Sequence, residues 1–450
     1  MAAAQSRVTD MTRGDPVRLL LKFSAPLFLS NLLQQFYNLA DTALAGHILG
    51  DAALAEIGAT AALYGLIMNF AFGMNNGLAL TVSRAFGAGD EKGVRRATAW
   101  MLTLAGVTAL VLTVVFVGVR RPLLVLLDTP AEILEDAYRY IIVIDYGVII
   151  MFAYNLCAGL LRAIGNSFMP LVFLLLSSGL NILLDLLFIA KMGMGVQGAA
   201  VATVISQGVS VLLCILYVFA KVKLLLPEKK HFKVGQHLYW ELFSQSICMG
   251  LMSSIVSAGS VVLQYGINGL GTLVIAGHTA ARKMFMFTDM PLLSMASAGS
   301  TFVSQNCGAG QPDRVRKGMK EIYLYSVVVA VLAVLLMRAA APWMVAFVSG
   351  SSEPVVLENG ARYLLWNAPF YAVLGVLLST RYALQSLGNK VLPLFSSVIE
   401  LVGKIIFVLL LIPKFAYNAV ILCEPIIWCF MAVYLVTVYL HDPFVFPKKK

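Results

Sequence analysis

The chain has 450 residues, 60% of them hydrophobic and 12% charged, and a formal net charge of +10. With a mean hydropathy of +0.84, it cannot be an ordinary soluble protein. The six cysteines lie scattered in or beside apolar segments with no C-x-x-C pair, so neither disulfides nor a cysteine metal site is expected.

Twelve apolar segments are long enough to span a bilayer: 19–45, 53–81, 97–119, 136–161, 168–190, 196–220, 240–266, 272–303, 321–347, 356–384, 391–412 and 418–440. Residues 1–18 are polar and carry no short apolar core, so the first segment reads as an anchor, not a removable signal. In it, Gln34, Tyr37, Asn38 and Asp41 fall at i, i+3, i+4 and i+7, a polar stripe down an apolar rod. A carboxylate in such a helix costs roughly 2.5–3.5 kcal/mol on insertion scales, so Asp41 is expected to face a cavity or a partner. Pro26 removes one backbone donor and can bend the helix.

An even number of spans places both termini on one side. The segments expected on that side gather 23 lysines and arginines; the opposite loops hold five, Arg120, Arg121, Lys191, Arg338 and Lys414. The positive-inside rule makes the termini cytoplasmic, and the basicity reflects topology and anionic lipid instead of nucleic acid.

The second span ends in GLALTVSRAFGAGDEKGVRRA, and 221 residues later GSTFVSQNCGAGQPDRVRKGM repeats the pattern. LLRAIGNSFMPLV at 160–172 recurs as YALQSLGNKVLPLF at 382–395, an offset of 223 for Gly165, Asn166 and Pro170. The expected fold is therefore an all-α integral membrane protein, twelve helices as two six-helix bundles repeated in the same orientation. Residues 1–220 are expected to form the first lobe, 221–239 a basic, solvated cytoplasmic linker with an interfacial helix as the alternative, and 240–450 the second lobe.

The fourth span carries Asp145 and Asn155. On the fifth, Asn181 and Asp185 are i, i+4 and project from one face, as do Thr203 and Gln207 on the sixth. Asp41, Asn155, Asn181, Asp185 and Thr203 make a candidate cluster of oxygen ligands. Their repeat positions in the second half are Val262, Leu378, Lys404, Val408 and Ile426, so the acidic set is not duplicated. In the second half Glu400 and Lys404, also i, i+4, read as a self-neutralising buried pair. Arg282 and Asp289, two turns apart, are candidates for an ion pair lining a cavity. His278 reads as a hydrogen-bonded core histidine with proton relay as the alternative, and Glu424 as a solvated residue near the outer mouth.

The first span, the run IGATAALYGLIMNFAFGMNNGLALTVSRAFGAGD, its repeat AGHTAARKMF…TFVSQNCGAG, and LLRAIGNSFMPLV resemble the multidrug and toxic compound extrusion (MATE) family over nearly the whole chain. The resemblance implies two bundles around a central cavity that opens alternately to each side. It also implies export of amphipathic, often cationic compounds coupled to inward movement of Na⁺ or H⁺. By similarity Asp41, Asn181, Asp185 and Thr203, with Asn155 nearby, match an amino-terminal-lobe cation site; Asp41, Asn181 and Asp185 would ligate Na⁺ if that ion couples. Gln34, Tyr37, Asn38, Arg282 and Asp289 are candidates for the substrate cavity. Another branch is described with acids on the seventh and tenth spans; here the seventh offers Gln245 and Gln264, and residues 361–384 contain no acid.

Two carboxylates close together in low dielectric repel when both are ionised, which suits them to take up a proton or Na⁺. The expected protein is a monomeric efflux antiporter of the plasma (inner) membrane, without cofactor, and not an enzyme. No H-E-x-x-H, D-D-x-x-D or G-x-S-x-G occurs. The alternative is a lipid-linked precursor flippase of the same superfamily, for which extra spans or a strongly cationic cavity would be typical.

Overall fold

The computed structural model describes residues 8–49, 51–126, 131–233 and 236–447. Arg7 and Lys448 to Lys450, included in the charge count, lie outside the described residues. The chain is built of helices, with no strand among the described residues. In order they are α1 (Pro16–Leu49), α2 (Asp51–Gly87), α3 (Glu91–Leu126), α4 (Ala131–Ala163), α5 (Phe168–Asp185), α6 (Gly195–Lys221), α7 (Gln236–Asn268) and α8 (Thr272–Thr288). There follow α9 (Met290–Gly308), α10 (Pro312–Ser349), α11 (Pro354–Asn367), α12 (Tyr371–Ser386), α13 (Val391–Ile406), α14 (Ile412–Phe415) and α15 (Tyr417–Leu440). Nine helical stretches among the described residues are long and apolar enough to cross a membrane. The three remaining expected spans fall in α1, in α2 and in the consecutive pair α8–α9, so each of the twelve apolar segments lies in helix. Pro26 lies inside α1, which runs unbroken from Pro16 to Leu49.

The repeat is written in the backbone as well as in the sequence. Gly89 and Gly310 both take a positive φ, +68° and +66°, and so do Gly165 and Gly388, at +83° and +95°. In each case the next amide reaches back five residues: Asp90 to the Ala85 carbonyl, Gln311 to Asn306, Asn166 to Leu161 and Asn389 to Leu384. These are the six-to-one bonds of a glycine-terminated helix, and the left-handed residue they need is glycine. At Gly165 a side chain is also excluded by space, because a Cβ would strike the Thr9 carbonyl, while the Thr9 amide donates to the Gly165 carbonyl at 3.0 Å. Short π-helical segments, Leu186–Lys191 and Phe407–Leu411, continue α5 and α13 at matching places in the two halves. Beyond them Gly193 (φ +63°) has Ala416 (φ +48°) as its counterpart at the same 223-residue offset.

The chain divides into two compact units at boundaries other than the expected lobes. Unit 1 comprises residues 1–10 and 29–250, and unit 2 residues 11–28 and 251–450. The first turns of α1 thus belong with the second half of the chain, and the first turns of α7 with the first half. In unit 2 the cause is apolar burial: Met11, Leu20, Phe23 and Leu27 share a core with Leu292, Met295, Phe302 and Ile322. It is reinforced where the Met11 amide donates to Gln305 Oε1 at 3.0 Å and Asn306 Nδ2 donates to the Met11 carbonyl at 3.0 Å. In unit 1, Gly77 of α2 lies so close to α7 that a Cβ would meet the Gln245 carbonyl at 2.9 Å, and Arg84 pairs with Glu241 at 2.9 Å.

In the segment 221–239 the five lysines are exposed. Its described part holds two 3₁₀ turns, Lys223–Leu225 and Lys229–Phe232, with Val222, Leu225 and His231 buried. Glu228 fastens it to α3 through Arg95 at 2.8 Å and caps the second turn, its amide donating to His231 Nδ1 at 2.9 Å. The Lys230 ammonium, hydrogen-bonded to Glu228, holds this exposed carboxyl below its ordinary value, with Arg95 and His231 adding to the effect. Apolar residues among the lysines anchor the turns: Val222 and Leu225 pack into the core of unit 1.

Candidate functional site

In unit 1, α1, α5 and α6 bring one polar group together. Asn181 and Asp185, one turn apart on α5, are both fully buried. Asp41 of α1 lies beside Asp185, within electrostatic and hydrogen-bonding reach of it. Two ionised carboxylates offer acceptors alone, so the pair can share a hydrogen bond only when it holds a proton. Each carboxyl also keeps a buried oxygen, Asp41 Oδ1 and Asp185 Oδ1, with no partner among the described residues. The hydrogen-bond network sets the Asn181 amide: its nitrogen donates to Asp185 Oδ2 at 2.8 Å and its oxygen accepts from the Thr203 backbone amide at 3.1 Å. Thr203 Oγ1 in turn lies 3.1 Å from the Tyr37 hydroxyl. The chain Asp41–Asp185–Asn181–Thr203–Tyr37 thus returns to α1 one turn from its start. Asp185 is the last α-helical residue before the π segment, a widened turn of the kind found at functional sites.

Three other candidates stand outside this chain of bonds. Asn155 donates to the Met151 carbonyl of its own helix at 2.9 Å. Gln34 Nε2 donates to Asn38 Oδ1 at 3.3 Å along the α1 stripe.

Among the described residues no three His, Cys, Asp or Glu side chains gather as a metal site. The unpartnered Asp41 and Asp185 oxygens suit a single monovalent ion, Na⁺ or H⁺, whereas the Asn181 amide is engaged on both sides.

Unit 2 contains a second polar assembly that sequence reasoning grasped only in pieces. Arg282 pairs with Glu424, not with Asp289: Nη1 lies 2.7 Å from Glu424 Oε2 and donates to the Tyr363 hydroxyl at 3.1 Å. Tyr363 donates to the same Glu424 oxygen at 2.6 Å. Glu424, expected to be solvated, is 6% exposed. A lone acid on the apolar helix α15 was the available signal, because burial there demands a cation. Lys404 bonds Glu400 at 2.9 Å, as its spacing suggests, but lies also 3.9 Å from Glu424, and Arg381 approaches Glu400 at 3.8 Å. The expected pair is part of a five-residue chain, Arg282–Glu424–Lys404–Glu400–Arg381. His278 Nδ1 lies 3.2 Å from the Tyr417 hydroxyl, a hydrogen-bonded core position.

Comparison with known proteins decides the family. The MatE family model matches the chain twice, over residues 26–187 and 249–410, and the two matches are offset by the 223 residues that separate Gly165 from Gly388. The chain belongs to the multidrug and toxic compound extrusion family. Members of the MATE family are transporters, not enzymes. Relatives include "Probable multidrug resistance protein YpnP" of Bacillus subtilis (strain 168), 29% identical, with 82% of each chain covered. "Multidrug export protein MepA" of Staphylococcus aureus (strain MSSA476) is 21% identical over 94% of each chain. Among solved structures, the outward-facing conformation of a multidrug resistance MATE family transporter superposes with a TM-score of 0.89 at 22% identity, covering 98% of both chains. A MATE in the straight conformation gives 0.87 at 23% identity, covering 96% of this chain and 97% of that one. The twelve-helix, two-repeat architecture of this multi-pass membrane protein is thus the MATE fold.

Proposed function

We propose that this MATE protein is a secondary antiporter that exports amphipathic, cationic compounds in exchange for Na⁺ or H⁺, with Asp41 and Asp185 as the coupling carboxylates. The observation that carries the reading is the carboxyl pair itself, Asp185 fully buried with Asp41 beside it, and each with one buried, unpartnered oxygen. Such a pair holds one positive charge far more readily than none, because two bare carboxylates in low dielectric repel. Loading H⁺ or Na⁺ relieves that repulsion and lets α1 close against α5. Release of the ion reopens the pair, and the helices have two packings whose balance follows occupancy. Asn181 supports Asp185 directly and, through Thr203 and Tyr37, carries its position back to α1. Asn155 stands outside this chain of bonds, its amide nitrogen donating within its own helix. A membrane potential of 100 mV contributes about 2.3 kcal/mol per charge moved inward, a concentration ratio of roughly fifty. We place the protein in the plasma membrane with both termini cytoplasmic, on the charge asymmetry.

The test is transport in sealed vesicles with Na⁺ and H⁺ gradients imposed separately. One gradient should drive export in the parent, and neither should do so in Asp41→Asn, which keeps its shape and loses its charge. Parental export by a folded Asp41→Asn refutes the assignment. The flippase reading shares this fold, and no observation in the site favours it.

A further inference from the structure

Arg282 is held by one corner only. Both of its protein hydrogen bonds, to Glu424 and to Tyr363, are made by Nη1. Nε and Nη2 bond nothing among the described residues and are not sealed off, and the side chain is 32% exposed. The guanidinium is also fixed in plane: its central carbon stands 4.9 Å over the Phe285 ring, and Phe285 is stacked on Trp428 and edge-on to Tyr371. An arginine with one nitrogen anchored, its face on an aromatic ring and its Nε–Nη2 edge open presents a preorganised fork matched to a carboxylate.

The other buried cations of unit 2 do not present such an edge, since Arg381 and Lys404 are 7% and 3% exposed. The charge balance points the same way. Three cations, Arg282, Lys404 and Arg381, face two carboxylates, Glu424 and Glu400, so the assembly carries one positive charge in excess. Asp289 is within electrostatic reach of Arg282 but not in ion-pair contact with it. A charged arginine on a membrane helix turns its free edge to water and not to lipid.

We propose that the open edge of Arg282 is a carboxylate-reading subsite in unit 2, so that the protein prefers amphiphiles carrying a carboxylate together with a delocalised cation. Phe285 and Met286 supply apolar surface beside the fork, and Asp289 supplies a counter-charge for the cationic end. The proposal rests on the transport reading above and narrows its substrate class.

A matched pair of dyes tests it: rhodamine 110, a zwitterion with a free carboxylate, and rhodamine 123, its methyl ester. They share the ring system and differ in that one group. The purified parent should bind the acid at least tenfold more tightly than the ester by fluorescence polarisation. Excess benzoate should weaken binding of the acid and leave the ester unaffected. Arg282→Lys keeps a cation for Glu424 but its single ammonium cannot also offer a free fork, so the preference should fall to within twofold. Equal affinity of the parent for both dyes, no competition by benzoate, or an unchanged preference in folded Arg282→Lys each overturns the proposal. Because the first two readouts use the parent alone, a variant that fails to fold does not shelter it. Loss of ester export in Asp41→Asn with the acid preference intact would separate the coupling reading from this one.

Discussion

Removing Glu400 and removing Lys404 should have unequal consequences, although the two are partners at 2.9 Å. Two carboxylates serve three cations along Arg282–Glu424–Lys404–Glu400–Arg381, and Lys404 sits in the middle with a share in both. Lys404→Met leaves two balanced pairs, Arg282 with Glu424 at 2.7 Å and Arg381 with Glu400 at 3.8 Å. It also removes an ammonium that is 3% exposed, and with it a desolvation cost that offsets the lost hydrogen bonds. The net change should be within about 1 kcal/mol. Glu400→Gln instead leaves Arg381 and Lys404 buried with no full carboxylate partner of their own. Breaking a buried pair from one side costs about 3–5 kcal/mol. At roughly 2–4 °C per kcal/mol for a unit of this size, the melting temperature should fall by about 6–20 °C, and for Lys404→Met by less than about 4 °C. The assay is thermal unfolding of the detergent-solubilised protein, followed by size-exclusion recovery after stepwise heating. Lys404→Met as damaging as Glu400→Gln would refute the surplus-cation account and restore a simple isolated pair.

Other expectations follow from single contacts. Gly165→Ala should cost more than Gly89→Ala: both have positive φ, a penalty of about 1–3 kcal/mol for alanine, but only at Gly165 does a Cβ collide with the Thr9 carbonyl; equal melting temperatures would count against it. Glu228→Gln should loosen residues 223–232 at neutral pH, read as faster backbone hydrogen exchange. In the parent the Glu228 contacts should hold at and above the ordinary value of 4.5 and weaken only as pH falls through the lowered value, because a depressed carboxyl stabilises where it is ionised. Fusion reporters after Lys450 and near Pro227 should both respond as cytoplasmic; a periplasmic response from either would overturn the orientation.

Much of this protein was legible because a bilayer imposes simple rules on sequence. Apolar length identifies a span, since an unpaired backbone in lipid is prohibitive. The Gly-Asn and Gly-Ala-Gly signatures marked helix ends and the repeat, because only glycine takes the left-handed turn without strain. Spacing along one helix was equally readable: Asn181 with Asp185, and Glu400 with Lys404, follow from 3.6 residues per turn. What sequence could not decide was which face meets which. Periodicity fixes a residue's azimuth on its own helix and says nothing of the partner helix, so Arg282 was matched to Asp289 two turns away, when its carboxylate is Glu424, 142 positions along the chain. The contact of Asp41 with Asp185, the π turn beneath Asp185 and the engagement of both sides of the Asn181 amide arise only when α1, α5 and α6 pack. The same holds for α1 and α7, whose first turns join the opposite halves of the chain, and for the 221–239 segment, where three buried side chains anchor a run of exposed lysines. Local rules set where helices begin and end; burial of charge, which requires a partner at hydrogen-bond distance, is satisfied only by the tertiary fold.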